Sequence, residues 1–502
     1  MNYSELQNGS DVRGVAMEGV GGQAVNLTPA AMADIAGAFV LFLERRLGRA
    51  DLRIAVGRDS RLSGEALENA AAEAIQSLGA DVSCFGLSST PAMFMSTIAE
   101  GFAYDGAIML TASHLPFNRN GAKFFTKHGG LDKGDVRAIL VRAGEGAFPA
   151  SRQKGLRDQI DFLPVYGSAL SRQILRALGA GGGDRPLEGF HIVVDAGNGA
   201  GGFFAEHVLR PLGADTSGSQ FLEPDGRFPN HAPNPEDPAA MESVSRCVLA
   251  NKADLGILFD TDVDRAGAVD PDGREINRNR LIALMAAIAL EEHPGTTIVT
   301  DSITSAGLAR FIAEKGGVHH RFKRGYRNVI NEAMRLNREG QDCQLAMETS
   351  GHGAFKENYF LDDGAYLMVK LLIKMARCRA EGRTLFSLIG SLPEPAESAE
   401  VRMGLSGADF AAYGAAVLAE LSARASEEGW HVAPDNYEGL RVSFPPEDGD
   451  GWFLLRMSLH DPLMPLNIES DRAGGISVIA NKLYVCLKGF DRLDTGALAA
   501  IL

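Results

Sequence analysis

Short apolar runs that end in polar loops alternate with helical patterns along most of this chain. Buried strands that alternate with helices predict βαβ units with parallel or mixed sheets, and hence an α/β fold. At 502 residues the chain is too long for one hydrophobic core, so we expect several domains. The predicted strands are 53–57, 107–110, 192–194, 255–259, 297–299 and 345–347. The predicted helices are 30–47, 64–78, 162–178, 239–251, 280–291 and 365–378.

Three of the apolar runs end in side chains that can carry chemistry. Ligands of open α/β sheets bind beyond the carboxyl ends of the strands. Three similar domains that contribute to one shared cleft would explain the repeated pattern. The side chains that follow the three runs are Ser113 and His114; Asp260, Asp262 and Asp264; and Glu348, Ser350 and His352.

Breaks in the alternating pattern indicate domain boundaries near 151–159, 273–277 and 393–398. From about residue 399 the pattern changes to a longer amphipathic helix, 407–428, followed by several strands. This change predicts a smaller α+β domain at the C-terminal end. The predicted domains are 1–158, 159–275, 276–395 and 396–502.

Charge and cysteine usage narrow the class of protein. A net charge of −15 argues against nucleic acid or an anionic membrane as a general partner. Five scattered cysteines without a CxxC pair argue against a disulfide framework and for a reducing compartment. The first residues lack a secretory signal pattern, and the longest apolar stretch, 281–290, is too short to span a bilayer. We therefore expect a cytoplasmic protein.

The loop after the second predicted strand contains a candidate nucleophile, Ser113. A hydroxyl nucleophile needs a base and a charge stabiliser nearby, and His114 and Lys123 are close in sequence. The alternative is an ordinary turn, in which the hydroxyl bonds the backbone and Asn120-Gly121 marks a loop. On local features the two interpretations are equally supported.

Asp260, Asp262 and Asp264 place three carboxylates at alternate positions after an apolar strand. Such close like charges repel unless a cation neutralises them, and oxygen ligands suit Mg²⁺. A calcium-binding EF-hand loop is excluded, because its sixth and twelfth positions would be Arg265 and Pro271. A solvated acidic loop is the remaining alternative, and the preceding strand favours a metal site.

Two further loops offer groups for a sugar and for a phosphate. Glu348, Ser350 and His352 can hydrogen-bond sugar hydroxyls, and His352 can also act as acid or base. Arg456 can bind a phosphate with two parallel hydrogen bonds, assisted by Ser458, although a surface ion pair is the ordinary role of such an arginine. Further basic candidates are Arg13, Arg58, Lys323, Arg324, Arg327 and Arg441.

These loops, in this order, resemble the α-D-phosphohexomutase family, and within it the phosphomannomutase/phosphoglucomutase branch. The resemblance covers nearly the whole chain, and it is the ordered set of motifs that makes it specific. The motifs lie at 11–14, 56–59, 111–123, 194–199, 224–231, 260–265, 347–353 and 456–458.

The resemblance implies four domains around a central cleft, three similar α/β domains with mixed sheets and a smaller α+β domain. It implies an isomerase that interconverts hexose 1-phosphate and 6-phosphate through phosphorylated Ser113 and a hexose 1,6-bisphosphate, which also serves as activator. One Mg²⁺ would be held by Ser113, Asp260, Asp262 and Asp264. The implied acid, base or charge-stabilising residues are Arg13, Ser113, His114, Lys123, Arg265 and His352. The implied substrate-binding residues are Lys323, Glu348, Ser350, Arg456, Ser458 and His460.

The chain departs from the family pattern at several loop positions. Leu115 follows the Ser-His pair where the family has Asn, and Thr261 replaces a Gly in the metal loop. Met347 stands where a Gly precedes the sugar-binding Glu. Leu459 and His460 follow Ser458 in place of Gly or Asn and then Thr, which removes a hydroxyl from the phosphate loop. A protonated His460 could substitute for that hydroxyl electrostatically.

Several functions stay open at this stage. Mannose and glucose phosphates differ only at C2, so either sugar could be the substrate, and an amino-sugar phosphate mutase of the same family is an alternative. Phosphatases that use an aspartyl phosphate also place Asp-x-Asp after a strand, but Asp264 and the Ser113 loop favour the mutase. A sugar-phosphate sensor without catalysis is the third class. We expect a monomer or dimer.

Overall fold

The computed structural model describes residues 2–146, 148–149, 153–179, 184–434, 436–458 and 461–502. The chain forms two compact units. The first unit comprises Met1–Leu281 and Ser350–Ser387, and the second comprises Ile282–Thr349 and Leu388–Leu502. Within the described ranges, no helix combines the length and the apolar character needed to cross a membrane.

The first unit begins with a mixed sheet ordered β1-β2-β6-β5-β3-β4-β8, with β7 paired to β6. Its central strands β5, β3, β4 and β8 run parallel, β6 pairs antiparallel with β5, and β2 and then β1 continue the sheet, each antiparallel to the strand before it. The strands are β1 Gln7–Asn8, β2 Asp11–Val15, β3 Arg53–Arg58, β4 Asp81–Leu87, β5 Gly106–Leu110, β6 Arg119–Thr126, β7 Gly129–Gly130 and β8 Arg157–Gln159. The helices are α1 Pro29–Leu47, α2 Gly64–Ser77, α3 Thr90–Ser96 and α4 Lys133–Glu145.

Local signals account for the ends of helix α1. Thr28 precedes it, and its side chain accepts a hydrogen bond from the Ala31 N–H, while Pro29 occupies the first turn. The helix ends at Gly48, which adopts the left-handed conformation at φ +70°. Its buried face packs with the strand residues Ile54 and Val56 in one core.

A second sheet of the first unit has the order β12-β11-β10-β9. Strands β9 and β10 are parallel, whereas β11 and β12 continue the sheet antiparallel. Its strands are β9 Ile192–Asp195, β10 Leu255–Phe259, β11 Ala266–Val269 and β12 Glu275–Ile276. The helices are α5 Leu163–Leu178, α6 Gly202–Phe204 and α7 Pro238–Asn251, and a π-helical turn, Ala205–Leu209, follows α6.

In the second unit, β13 pairs in parallel with β14 and with β15. These strands are β13 Thr297–Asp301, β14 Val318–Phe322 and β15 Cys343–Met347. The helices are α8 Arg278–Glu292, which enters this unit from the first, α9 Ala306–Glu314 and α10 Tyr326–Arg338. Strand β16, Gly353–Phe355, and helix α11, Gly364–Ala380, then return the chain to the first unit.

The C-terminal part of the second unit is an antiparallel sheet ordered β17-β21-β20-β19-β18. Its strands are β17 Glu397–Gly404, β18 His431–Val432, β19 Leu440–Phe444, β20 Gly451–Leu455 and β21 Leu463–Ser470. The helices are α12 Phe410–Glu427, α13 Gly475–Leu487 and α14 Gly496–Ala499. Val417 and Leu421 of α12 share a core with Phe453 of β20 and Leu483 of α13.

The predicted fold class is confirmed: three α/β parts with mixed or parallel sheets precede a C-terminal α+β part. Each predicted strand lies within an observed one, and β10 has the predicted ends. The apolar stretch 281–290 is the fully buried part of helix α8, as expected. The four domain ranges stay a prediction.

Candidate active site

Ser113 lies on the loop after β5, where the first unit collects several charged groups. Its backbone is left-handed, at φ +49°, which is uncommon for a residue with a side chain and frequent at functional sites. The hydroxyl donates to Asp260 Oδ2 at 3.0 Å and accepts from Arg265 Nη2 at 3.1 Å. The His114 Nδ1 atom lies 3.4 Å from Ser113 Oγ. The structure therefore brings the predicted nucleophile to the end of the acidic strand loop.

The buried guanidinium of Arg61 holds the Ser113 loop in shape. Only 1% of Arg61 is exposed, and its Nε pairs with Asp59 Oδ2 at 3.2 Å. Its remaining N–H groups donate to four backbone carbonyls of the loop, those of Ser113, Leu115, Pro116 and Arg119. Five donors in a rigid planar fork can satisfy several carbonyls at once, which a lysine could not. Arg61 is thus a positioning residue for Ser113.

A second set of hydrogen bonds supports the same loop from below. The Thr111 hydroxyl donates to Asp59 Oδ2 at 2.7 Å and accepts from the Ser113 N–H at 2.9 Å. Arg13 donates to the Thr111 carbonyl and forms an ion pair with Asp11 at 2.7 Å. Of the predicted catalytic residues, Arg13 therefore contacts the backbone of the loop.

Asp260, Asp262 and Asp264 form the acidic cluster that the sequence predicts. One carboxylate oxygen from each lies within 4.8 Å of the others, and all three residues are buried. The Oδ1 atoms of Asp262 and Asp264 and the Thr261 hydroxyl have no hydrogen-bond partner in the described structure. Buried carboxylate oxygens without a donor suit a hard cation. The donor set therefore fits a divalent metal ion.

Lys123 supplies positive charge within this cluster. Its ammonium contacts Asp262 Oδ2 at 2.8 Å and also pairs with Asp264. Burial opposes its charge, but these two carboxylates raise the pKa of Lys123 well above its usual value. Burial and the neighbouring Asp264 raise the pKa of Asp260 well above its usual value. Although burial raises the pKa of Asp264, Lys123 and then His352 hold it well below its usual value.

Two close backbone contacts fix the shape of the acidic loop. A Cβ atom at Gly199 would lie 2.7 Å from the Thr261 carbonyl oxygen, so a larger residue would displace the loop. Gly364, at the start of α11, donates its N–H to the Val263 carbonyl at 3.1 Å, and Val263 itself is left-handed at φ +65°. The motif at 194–199 therefore supports the acidic loop. The sequence alone did not show this role of the motif.

His352 and Ser350 lie in the same unit, beside Asp264. Ser350 Oγ is 2.8 Å from His352 Nδ1, and His352 Nε2 lies 3.6 Å from Asp264 Oδ1 and 3.5 Å from Asp362 Oδ2. Burial lowers the pKa of His352. Burial, Arg265 and His352 together lower the pKa of His114 to about 2, so its imidazole is neutral. Because Arg265 Nη2 lies 2.6 Å from His114 Nδ1, that nitrogen accepts a hydrogen bond.

The second unit holds the other predicted substrate-binding residues. Glu348 Oε1 accepts a hydrogen bond from the Gly325 N–H at 2.6 Å, just before helix α10. Arg456, at the end of β20, is 8% exposed, and its Nη1 lies 3.6 Å from Glu438 Oε1. Burial lowers the pKa of Arg456, and the nearby Arg324 lowers it further. Glu348 is therefore held by a backbone N–H group, and Arg456 faces the carboxylate of Glu438.

The remaining predicted substrate-binding residues are Lys323, Ser458 and His460. Lys323 is exposed beside the Phe322 ring, with Nζ 5.9 Å from the ring centre, whereas its neighbour Arg324 lies near Arg456. The Ser458 hydroxyl accepts from the Asp461 N–H at 3.2 Å. His460 and Leu459 lie outside the described residues. The role of Lys323 stays a prediction.

Some residues that shape the site were not identified from sequence. Arg61 follows the Arg58-Asp59 motif by two positions, and that motif was the available signal. Thr90, whose hydroxyl and N–H both bond Asp262, and Asp362, beside His352, come from distant segments without a motif. Arg58, a basic candidate, instead pairs with Glu68 at 3.3 Å.

The Arg61 network predicts a local effect on the Ser113 loop. In Arg61→Lys, at least two loop carbonyls lose their donor. Each buried carbonyl left without a hydrogen bond lowers the stability of the loop by about 1–3 kcal/mol. We expect peptides that cover residues 111–119 to exchange amide hydrogen at least roughly tenfold faster, measured by mass spectrometry. Arg58→Lys is the control, since Arg58 does not donate to this loop, and equal exchange in both variants would contradict the assignment.

Comparison with known proteins agrees with this arrangement. The family description "Phosphoglucomutase/phosphomannomutase, alpha/beta/alpha domain I" matches residues 4–145, domain II matches 165–273, and domain III matches 277–396. A phosphoglucomutase of Neisseria gonorrhoeae is 31% identical over 437 residues, 87% of this chain and 88% of that protein. A phosphomannomutase/phosphoglucomutase of Pseudomonas aeruginosa is 30% identical over 448 residues, 89% of each chain.

A solved structure gives the same result. The phosphoglucomutase/phosphomannomutase family protein of Burkholderia thailandensis superposes with a TM-score of 0.79 at 29% identity, covering 98% of each chain. The predicted family and the predicted enzyme class, a phosphomutase among the isomerases, are confirmed by these relatives. The chain belongs to the phosphoglucomutase/phosphomannomutase family.

Proposed function

We propose that this protein interconverts hexose 1-phosphate and hexose 6-phosphate, with mannose or glucose phosphate as substrate. Ser113 carries the phosphoryl group, and a hexose 1,6-bisphosphate is the intermediate and the activator. The observation that most supports this proposal is the contact of the Ser113 hydroxyl with Asp260 and Arg265, at the edge of a buried carboxylate cluster. The same contacts favour the mutase over a phosphatase that uses an aspartyl phosphate, because Ser113 is the group presented as the nucleophile.

The transfer itself requires positioning and neutralisation of charge more than new covalent chemistry. A sugar hydroxyl attacks the phosphorus of phosphoserine, a bond from phosphorus to the sugar oxygen forms, and the bond to Ser113 Oγ breaks. The second half of the reaction reverses these steps with the other phosphate. Arg265, whose Nη2 donates to Ser113 Oγ at 3.1 Å, is well placed to stabilise charge on the transferring group.

We assign the metal to Mg²⁺, held by Asp260, Asp262 and Asp264 with Ser113 as a further ligand. When bound, this ion would neutralise negative charge on the transferring phosphoryl group. Lys123 then has a separate role, since it balances the second oxygens of Asp262 and Asp264 and keeps both carboxylates in place. Three buried carboxylates paired with Lys123 and Arg265 still leave a net negative charge for a cation to offset.

Proton transfer is assigned to His352, whose Nδ1 lies 2.8 Å from Ser350 Oγ. His114 is assigned a positioning role, because its Nδ1, 3.4 Å from Ser113 Oγ, already accepts a hydrogen bond from Arg265 and its pKa of about 2 makes it too weak a base to take the proton. Arg13 is assigned to the Ser113 loop backbone, where it donates to the Thr111 carbonyl.

Substrate binding is assigned to residues of the third and fourth loops. Glu348 and Ser350 would accept and donate hydrogen bonds to sugar hydroxyls, and Arg456 with Ser458 would bind the phosphate that is not being transferred. No described residue accepts a hydrogen bond from the buried Arg456 Nε, which supports this assignment because a buried guanidinium nitrogen needs an acceptor. Lys323 and His460 complete the proposed set.

Removal of the Ser113 hydroxyl tests the covalent mechanism. Ser113→Ala should lose at least about 10³-fold in kcat, because no group remains to carry the phosphoryl. The assay is a phosphorus NMR time course with Mg²⁺ and a trace of hexose bisphosphate, run on mannose, glucose and N-acetylglucosamine 1-phosphates. Ser168→Ala, at an exposed serine of α5, should retain full activity. Substantial turnover by Ser113→Ala would refute the phosphoserine route.

The same NMR series separates the alternatives. Fastest conversion of mannose or glucose 1-phosphate supports the proposed substrates, and fastest conversion of the N-acetylglucosamine ester supports an amino-sugar phosphate mutase. Binding of all three esters without conversion by the wild-type protein would indicate a sugar-phosphate sensor.

Substitution in the acidic loop tests the metal assignment. Asp262→Asn should raise the Mg²⁺ concentration for half-maximal activity by at least roughly tenfold and lower kcat at saturation, because one anionic ligand is lost. The measurement is a Mg²⁺ titration of initial rates. Asp272→Asn removes the same charge from an exposed position and should leave the titration unchanged. An unchanged midpoint in Asp262→Asn would remove Asp262 from the ligand set.

A further inference from the structure

The carboxylate of Glu438 lies beside Arg456, the proposed phosphate-binding residue of the second unit. Its Oε2 accepts hydrogen bonds from the Ser302 hydroxyl and from the Arg324 N–H, both at 2.8 Å. Its Oε1 faces Arg456 Nη1 at 3.6 Å. Only 12% of the Glu438 side chain is exposed. One oxygen is therefore fully engaged, and the other faces the arginine without reaching hydrogen-bond distance.

The backbone groups that Glu438 contacts form an anion-binding position. Helix α10 begins at Tyr326, and the N–H groups just before it are those of Arg324 and Gly325. Glu438 accepts from the first, and Glu348 accepts from the second at 2.6 Å. N–H groups at the start of a helix favour negative charge, and phosphates bind there in many proteins. Glu438 thus occupies one place that an anionic ligand would favour.

Arg456 is left without a complete set of acceptors. Its Nε atom is buried and has no hydrogen-bond partner in the described structure, and its Nη1 reaches the Met457 carbonyl only at 3.4 Å. Because Arg324 repels it and burial removes water, this guanidinium needs a nearby negative charge. Glu438 supplies that charge at 3.6 Å without a hydrogen bond, so Arg456 keeps a donor that no described residue satisfies and that a second anion could accept from.

The chain around Glu438 keeps the carboxylate in this position. A Cβ atom at the next residue, Gly439, would lie 2.1 Å from the Leu455 carbonyl oxygen, so β19 and β20 approach closely here. Arg441 stacks on Trp452 with its guanidinium carbon 3.5 Å from the ring centre. Arg441 also donates to the Ser302 carbonyl at 2.7 Å, which holds the loop that carries the Ser302 hydroxyl.

We propose that Glu438 is an affinity-determining residue that weakens the binding of phosphate at Arg456. This inference rests on the proposed function, which assigns the non-transferring phosphate to Arg456. A phosphate bound there lies close to the negative charge of Glu438, and like charges in a partly buried site repel strongly. The carboxylate offsets the charge of Arg456 before phosphate binds and opposes tight retention of the phosphate, so that a bisphosphate can be released and rebound in the other orientation.

The test replaces the charge and keeps the acceptor. Glu438→Gln retains an oxygen for the Ser302 hydroxyl and the Arg324 N–H, and we expect it to bind phosphate about tenfold more tightly. Isothermal titration calorimetry with inorganic phosphate and with glucose 6-phosphate gives the two Kd values. The difference between variant and wild type should shrink as NaCl is raised, because salt screens the repulsion. Unchanged or weaker binding by Glu438→Gln would overturn the proposal.

Three further variants separate the possible causes. Glu427→Gln removes the same charge from an exposed position on α12 and should leave both Kd values unchanged. Glu438→Asp keeps the charge, so tightening equal to that of Glu438→Gln would mean that packing is the cause and would overturn the proposal. Arg456→Ala should lose most of the phosphate affinity. If it does not, the phosphate assignment of the proposed function fails, whereas loss in Arg456→Ala with no gain in Glu438→Gln refutes only the inference.

Discussion

The first unit is organised by the need to hold three buried carboxylates together beside a nucleophile. Asp260, Asp262 and Asp264 are buried close together, and burial with the charge of Asp264 raises the pKa of Asp260 well above its usual value. Lys123 and Arg265 offset part of this charge, and the oxygens left without donors indicate that a cation supplies the rest. In the proposed reaction, a cation bound by these carboxylates would also offset the charge of the transferring phosphoryl group.

Buried arginines hold the loops in both units. Arg61 satisfies four carbonyls of the Ser113 loop, and Arg441 satisfies carbonyls of the loop that follows β13. Each arginine is stacked against an aromatic ring, Phe228 at 5.2 Å and Trp452 at 3.5 Å. Loops that must present reactive groups cannot use regular ladders for their backbone, so a side chain with five donors takes over that function.

The sequence predicted the strand positions from local pattern, whereas it predicted the site residues from motifs. Strand β10 was predicted with its observed ends because an uninterrupted apolar run directly followed by Asp260 leaves little choice of boundary. Ser113, His114 and Lys123 were named from their loop and Arg265 from the family resemblance, and the structure places all four around the acidic loop. Lys323 was named as a substrate-binding residue and is exposed, whereas the neighbouring Arg324 lies near Arg456, and the role of Lys323 stays a prediction.

The sequence by itself determined the alternation of strands and helices, the loops that carry reactive groups and the family. These are properties of local pattern and of motif order, which tertiary packing does not alter. Only the tertiary structure revealed that Arg61 supports Ser113, that Gly199 and Gly364 support the acidic loop, and that Glu438 faces Arg456. The first two sets of contacts join segments more than 50 residues apart, and the third joins the ends of neighbouring strands, so in each case packing geometry and not a local pattern sets the partners.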